Sequence, residues 1–202
     1  MKLRYLCFIL LLCCLLVFNA CSTNSVDPAE PTMLESEPKV PAVWDTLYYE
    51  DEFGDVSDYA YLSNSIDGKY RTPSSSSDTD ATVVLEHHFA IGNDSLVSFF
   101  KMSATLKGGK NKKEIRGPMT IKLKIDEEVY TERLRIASNH DICIGSYDED
   151  TKYVYQIIYD ALISGEDVKV YLEDYDKNVY TFTIESGNFK DAIESIYPQY
   201  QE

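Results

Sequence analysis

Three segments carry residue types that could do chemistry. The first is DEFGDVSDYAYL, Asp51 to Leu62, where four acidic side chains surround one Gly before the chain turns aromatic. Clustered carboxylates are what a hard divalent cation takes. A helix–loop–helix calcium site, however, needs ligands at alternating positions, Gly at the sixth and a bidentate Glu at the twelfth. Here Gly54 is fourth and Leu62 twelfth, so the segment reads as a solvated turn after a first strand. Asp174-Tyr-Asp176-Lys-Asn178, with Glu185 twelfth, comes nearer to that spacing, but its sixth position is Val179 and strand-like runs flank it. Asp and Asn form turns by bonding nearby backbone, so a hairpin turn is expected there. A cation at Asp51–Asp58 or Asp174–Glu185 is the alternative, and no metal or cofactor is expected.

The second group is the histidines and the one late cysteine. His87 and His88 are adjacent in a strand-like run, so they point to opposite faces. His87 shares its face with Val83, Leu85 and Phe89 and is expected in the core. His88 shares its face with Glu86 and is expected to be exposed. Cys143 lies between Ile142 and Ile144 and reads as a buried structural thiol, although His140 is the kind of base a nucleophilic thiol needs. The chain contains no His-Glu-x-x-His, no Gly-x-Ser-x-Gly and no P-loop. The reading is a non-catalytic binding or structural module. An unrecognised envelope enzyme and a calcium-stabilised binding domain are the alternatives.

The third segment is basic. Lys107, Lys110, Lys112, Lys113 and Arg116 fall together with a single acidic residue among them, Glu114. Gly108, Gly109 and Gly117-Pro118 predict a mobile exposed loop. It is a candidate contact for an anionic envelope component or an acidic partner protein, against the plainer reading of a solvated hairpin tip.

The elements that must position these residues begin after a leader. Two basic residues, Lys2 and Arg4, precede an apolar run from Tyr5 to Phe18. The run is shorter than the roughly 20 residues a membrane-spanning helix needs and has the form of a secretory signal. Residues 22–41 are polar and rich in Pro, Ser and Glu, which predicts a disordered tether. The expected organisation is a signal over 1–20, a tether over 21–41 and one globular domain over 42–202. Without Lys2 and Arg4 the chain holds 17 basic residues against 34 acidic, a formal charge of −17. That argues against nucleic acid and against adsorption to anionic lipid through the bulk surface. With Cys143 alone in the domain, no intrachain disulfide can form, so a core must hold the fold.

Sixteen Tyr and eight Phe suit β packing. Strands are expected over 44–49, 82–90, 96–106, 120–125, 129–136, 168–173 and 179–184. Asp67-Gly68 predicts a hairpin turn between 59–65 and 69–72. Ile121, Leu123 and Ile125 alternate with Lys122 and Lys124, the mark of a half-buried strand. Val154, Ile157, Ile158, Ala161 and Leu162 recur at helical spacing before Gly165. Phe189, Ala192, Ile193 and Ile196 form a second stripe, capped by Ser186 or Asn188 and ended by Pro198. The fold class expected is α+β, mainly antiparallel β, a sheet or β-sandwich with two peripheral helices.

Two resemblances add to this. Phe18-Asn19-Ala20-Cys21 resembles a bacterial lipobox, with Phe where Leu is usual. It implies lipidation of Cys21, which would become the new N-terminus and hold the chain to a lipid bilayer; an ordinary signal or uncleaved anchor is the alternative. Ser22, where an Asp would imply inner-membrane retention, favours the periplasmic face of an outer membrane in a cell with two membranes. Trp44 followed by DEFGD, then IKLKID, YDALISGEDVKVYL and VYTFTIESGNFKDAI, resembles a group of uncharacterised bacterial exported lipoproteins. The closing strand with Phe-x-x-Ala-Ile is more distantly similar to accessory proteins of type VI secretion. Val56-Ser57-Asp58 stands where that group has Pro-Thr-Gly. The resemblance implies an exported β-module and carries over no catalytic residue.

Overall fold

The structure is a computed structural model and describes residues 43–92, 95–107, 113, 115–134, 141–146 and 149–200. All belong to one compact unit, Val40–Glu202. In chain order the elements are β1 (Asp45–Glu50), β2 (Val56–Arg71), β3 (Thr79–Gly92), β4 (Ser95–Leu106), β5 (Met119–Ile125), β6 (Glu128–Leu134) and β7 (Asp141–Gly145). Then come helix α1 (Lys152–Ser164), β8 (Val168–Glu173), β9 (Val179–Ile184), helix α2 (Phe189–Ile196) and a 3-10 turn, Tyr197–Tyr200. The fold is α+β and mainly antiparallel β. The nine strands among the described residues form one curled sheet in the order β6-β5-β8-β9-β2-β3-β4-β7, with β1 added beside β2.

β2 is the hub. Its first half pairs with β1 from Glu50↔Val56 to Asp45↔Ser63, and its last residues, Gly68 to Arg71, pair with β9. Its other edge pairs with β3 from Leu62↔His87 to Tyr70↔Thr79. The hairpin expected at Asp67-Gly68 is therefore not there: both residues lie inside β2, and the chain reverses after Arg71. Gly68 serves close packing instead of a turn. A Cβ on it would sit 3.1 Å from the Thr181 carbonyl oxygen and 3.2 Å from the Phe182 Cβ. Gly within a strand marks such an approach as often as it marks a bend.

Strand alternation sends Leu62, Ile66, Val83, Leu85, Phe100, Ile121, Leu123, Val170 and Ile184 to one buried face. The helices cover part of that face. α1 buries Val154, Ile158, Ala161 and Leu162, together with Tyr155, which the apolar period alone does not flag. It stops at Gly165 in the left-handed region, φ +83°, where Gly165 and Glu166 N–H donate back to Leu162 and Ala161 carbonyls. α2 buries Phe189, Ala192, Ile193 and Ile196 as its stripe requires, each large side chain contributing about 1.5–3 kcal/mol. Asn188 precedes α2, but its side chain does not cap the helix. Its Oδ1 accepts from the Val43 and Trp44 N–H groups at 2.9 and 2.8 Å, and its Nδ2 donates to the Trp44 carbonyl at 2.9 Å. The Trp44 indole N–H donates to the Glu185 carbonyl at 2.9 Å, and its ring lies 4.8 Å from Phe189. The start of the domain is thus fastened to its end.

Candidate functional site

The face of the sheet opposite the buried one carries two distinct surfaces. The first lies on β5, β8, β9 and the second half of β2. Because Ile121 and Leu123 point inward, Lys122 and Lys124 point outward. The register sets Lys124 opposite Lys169 and Lys122 opposite Tyr171; these face Thr183 and Thr181 on β9, and Thr181 faces Lys69 on β2. Together with Lys107 these residues line a groove of about 820 Å³. Its lysines are unequally engaged. Lys69 and Lys107 share Asp80, at 2.6 and 3.7 Å, and the Lys69 hydrogen bond holds the Asp80 carboxyl below its ordinary range. Lys124 reaches Glu127 at 3.4 Å, and the Lys122 ammonium lies 5.3 Å from the centre of the Tyr171 ring. Lys169 has no carboxylate in ion-pair range among the described residues.

The second surface lies on β1, the first half of β2, β3, β4 and β7. Here the structure corrects the reading of His88 as exposed: it is 7 % exposed. No helix covers it. Its ring is stacked between Tyr61, at 4.7 Å and 18°, and Phe99, at 5.1 Å and 17°. Both ring nitrogens are bonded, Nδ1 with the Tyr49 hydroxyl at 2.6 Å and Nε2 with Glu86 at 3.1 Å. Lys101 donates to the same Glu86 oxygen at 3.0 Å. Burial holds the His88 imidazole below its usual pKa, although Glu86 pulls the other way. His87 is fully buried as expected; Tyr155 bonds it at 3.2 Å, and burial pushes it down to about 3.

Cys143 also differs from expectation. It is exposed, opposite Lys101. Ile142 and Ile144 take the inward positions, so alternation turns the residue between them outward. His140, its candidate base, lies outside the described residues, as does Cys21.

In each acidic segment the first carboxylate is used on the segment's own turn. Asp51 Oδ1 accepts from the Phe53 and Asp55 N–H groups at 2.8 and 2.9 Å, closing the β1–β2 turn around Gly54 at φ +83°. Asp174, 2 % exposed, accepts from Asn178 N and Nδ2 at 2.8 and 2.9 Å, which builds the expected hairpin turn. Among the described residues no group of three or more His, Cys, Asp or Glu is placed to hold a metal.

Of the basic run, Lys110 and Lys112 lie outside the described residues. The others are engaged. Lys113 N–H donates to Ala104 at 2.6 Å and its ammonium sits 5.2 Å from the Tyr70 ring centre. Ile115 is 1 % exposed, and Arg116 pairs with Asp176 at 3.6 Å. That end of the loop is pinned by an apolar anchor, which the surrounding charges conceal in the sequence. Among the described residues of the basic run, Lys107 lines the groove, whereas Lys113 and Arg116 do not. Sequence reading missed Lys69, Lys169, Tyr171, Thr181 and Thr183. Alternation marks each as outward, but only the non-local strand order brings them beside Lys122 and Lys124.

No family model matches the chain, and no curated protein or solved structure matches it either.

Proposed function

We propose that the chain is a bacterial envelope lipoprotein, anchored through a lipid on Cys21, whose β-domain binds an anionic polysaccharide in the lysine groove. The observation that carries this is the row formed by Lys122, Lys124 and Lys169 on a chain of formal charge −15. Basic side chains gathered on one face of an acidic body orient it toward an anionic surface, because the bulk repels what the row attracts. Neighbouring strands set Lys124 and Lys169 about 4.8 Å apart, with Lys122 two residues along the strand from Lys124. Tyr171 and the Thr181 and Thr183 hydroxyls supply a ring face and hydrogen-bonding groups beside them, which suits a sugar bearing carboxylates. The leader and the Phe18–Cys21 resemblance support the anchor, and the acidic bulk agrees with attachment by lipid.

The test uses the chain without its leader, carrying Cys21→Ser, and polygalacturonate as the probe. Binding is expected at low ionic strength, weakening as salt screens it. The triple variant Lys122→Glu, Lys124→Glu, Lys169→Glu should lose it at least tenfold. Equal binding by both proteins refutes the groove. Metabolic labelling with palmitate that marks wild type and Cys21→Ala alike refutes the anchor.

A further inference from the structure

The hydrogen-bonded chain Tyr49–His88–Glu86 on the second outer surface has a direction. Against the cost of partial burial, hydrogen bonds from Lys101 and His88 hold the Glu86 carboxyl below its usual range, so Glu86 is ionised. An ionised carboxylate can only accept. His88 Nε2, 3.1 Å away, must therefore carry the imidazole proton. Nδ1 is then the bare nitrogen, and the Tyr49 phenol 2.6 Å from it is the donor. The ring cannot swivel out of this arrangement, because Tyr61 and Phe99 stack on its two faces. A hydroxyl, a base that faces its proton and a carboxylate that orients the base are the parts of an activated nucleophile. Tyr49 also lines a cleft of about 520 Å³ with Ser57, Tyr59, Phe89 and Ala90, beside Glu50 and Asp51.

We infer that Tyr49 is a nucleophilic tyrosine, with His88 as its base and Glu86 as the residue that positions that base, and that the cleft takes a neutral acyl donor. The cleft's ring and methyl surface suits an apolar acyl body. Glu50 and Asp51 disfavour an anionic one. As the phenol oxygen bonds to the acyl carbon, its proton passes to His88 Nδ1. The bond from acyl carbon to the ester oxygen breaks, and the leaving alkoxide takes the proton back from His88. A tyrosyl ester remains. Water repeats the sequence, giving its proton to His88, releasing the carboxylic acid and restoring the phenol. This site shares no residue with the lysine groove and stands or falls separately from the binding role.

The test mixes the leaderless Cys21→Ser chain with p-nitrophenyl acetate and follows nitrophenolate release and the site of acetylation by peptide mass. A burst is expected, with Tyr49 acetylated ahead of the exposed Tyr48, Tyr59, Tyr153 and Tyr175. Tyr49→Phe, which keeps the ring, should abolish the burst without altering the folded circular dichroism signal. His88→Gln should slow acetylation of Tyr49 by about 100-fold, the scale of general-base assistance. Glu86→Gln should move the pH midpoint of the burst lower, because the imidazolium loses its counter-charge; a purely structural Glu86 leaves that midpoint unmoved. Lys122→Glu with Lys169→Glu should leave the burst unchanged. The inference is overturned if Tyr49 is acetylated no faster than the exposed tyrosines, or if the burst survives Tyr49→Phe.

Discussion

His87 and His88 are neighbours in the chain and both are buried, but the two faces of β3 bury them by different means. His87 lies under the helices, with Phe89, Phe100 and Phe189 rings 5.0, 4.9 and 5.6 Å away. Tyr155 bonds one nitrogen, and Nδ1 has no hydrogen-bond partner among the described residues. A buried unmatched polar atom costs about 1–3 kcal/mol, and here the core tolerates it. Among the described residues no helix lies above His88; flat rings on adjoining strands close over it, and both of its nitrogens are bonded. A covered face can seal a histidine with only one of its nitrogens bonded. An uncovered face does so only with aromatic neighbours and a complete hydrogen-bond chain.

The largest test breaks the covered face. Phe189→Ala removes the ring that touches Trp44 and His87 and should cost about 3–5 kcal/mol in urea unfolding. A loss below about 1 kcal/mol would mean that α2 does not seal His87. Next comes acid. The folded pKa of His87 is depressed to about 3 from 6.5, so the unfolded chain binds the proton first. The stability tied to this ring is complete above pH 6.5 and drains as pH falls toward 3. Between pH 6.5 and about pH 4 the loss should be roughly 3 kcal/mol, and His87→Phe should remove that part of the acid limb. If the limb is unchanged in His87→Phe, the ring is not sealed as described. The smallest effect sharpens the uncovered face. Phe99→Ala should cost about 1–2 kcal/mol, since Phe99 is only half-buried. It should also let the His88 pKa rise toward its ordinary value in an NMR titration, with His87 unmoved. A His88 that does not shift would show that the stacked rings are not what dehydrates it.

The same contrast explains what could be read from the sequence. Periodicity reports the covered face well, because a helix or strand that buries one stripe must repeat it. α1, α2, β8, β9 and the inward position of His87 follow from that repetition. Local turn chemistry likewise placed the Asp174–Asn178 hairpin. Alternation treats the other face as solvent, and so it misplaces His88, whose cover comes from β2 and β4. Cys143 was misread by composition rather than by period: its two isoleucine neighbours suggested a core, while the alternation they obey turns it out. Asp67-Gly68 has the residues of a turn, but the need for close approach to β9 appears only when β9 is in place. The lysine groove is illegible for the same reason, being drawn from strands as far apart in sequence as β2 and β9.

The fastening at Trp44 has a mechanical consequence. Any pull on the chain ahead of Val43 is delivered first to the Asn188 side chain and the Glu185 carbonyl, through four hydrogen bonds of 2.8 to 2.9 Å. The load therefore enters at the start of α2 and the end of β9, ahead of β1, which is held separately by its pairing with β2. Drag on the leading segment is shunted into the helix-backed core, and the strand that presents Tyr49 to His88 keeps its alignment under tension.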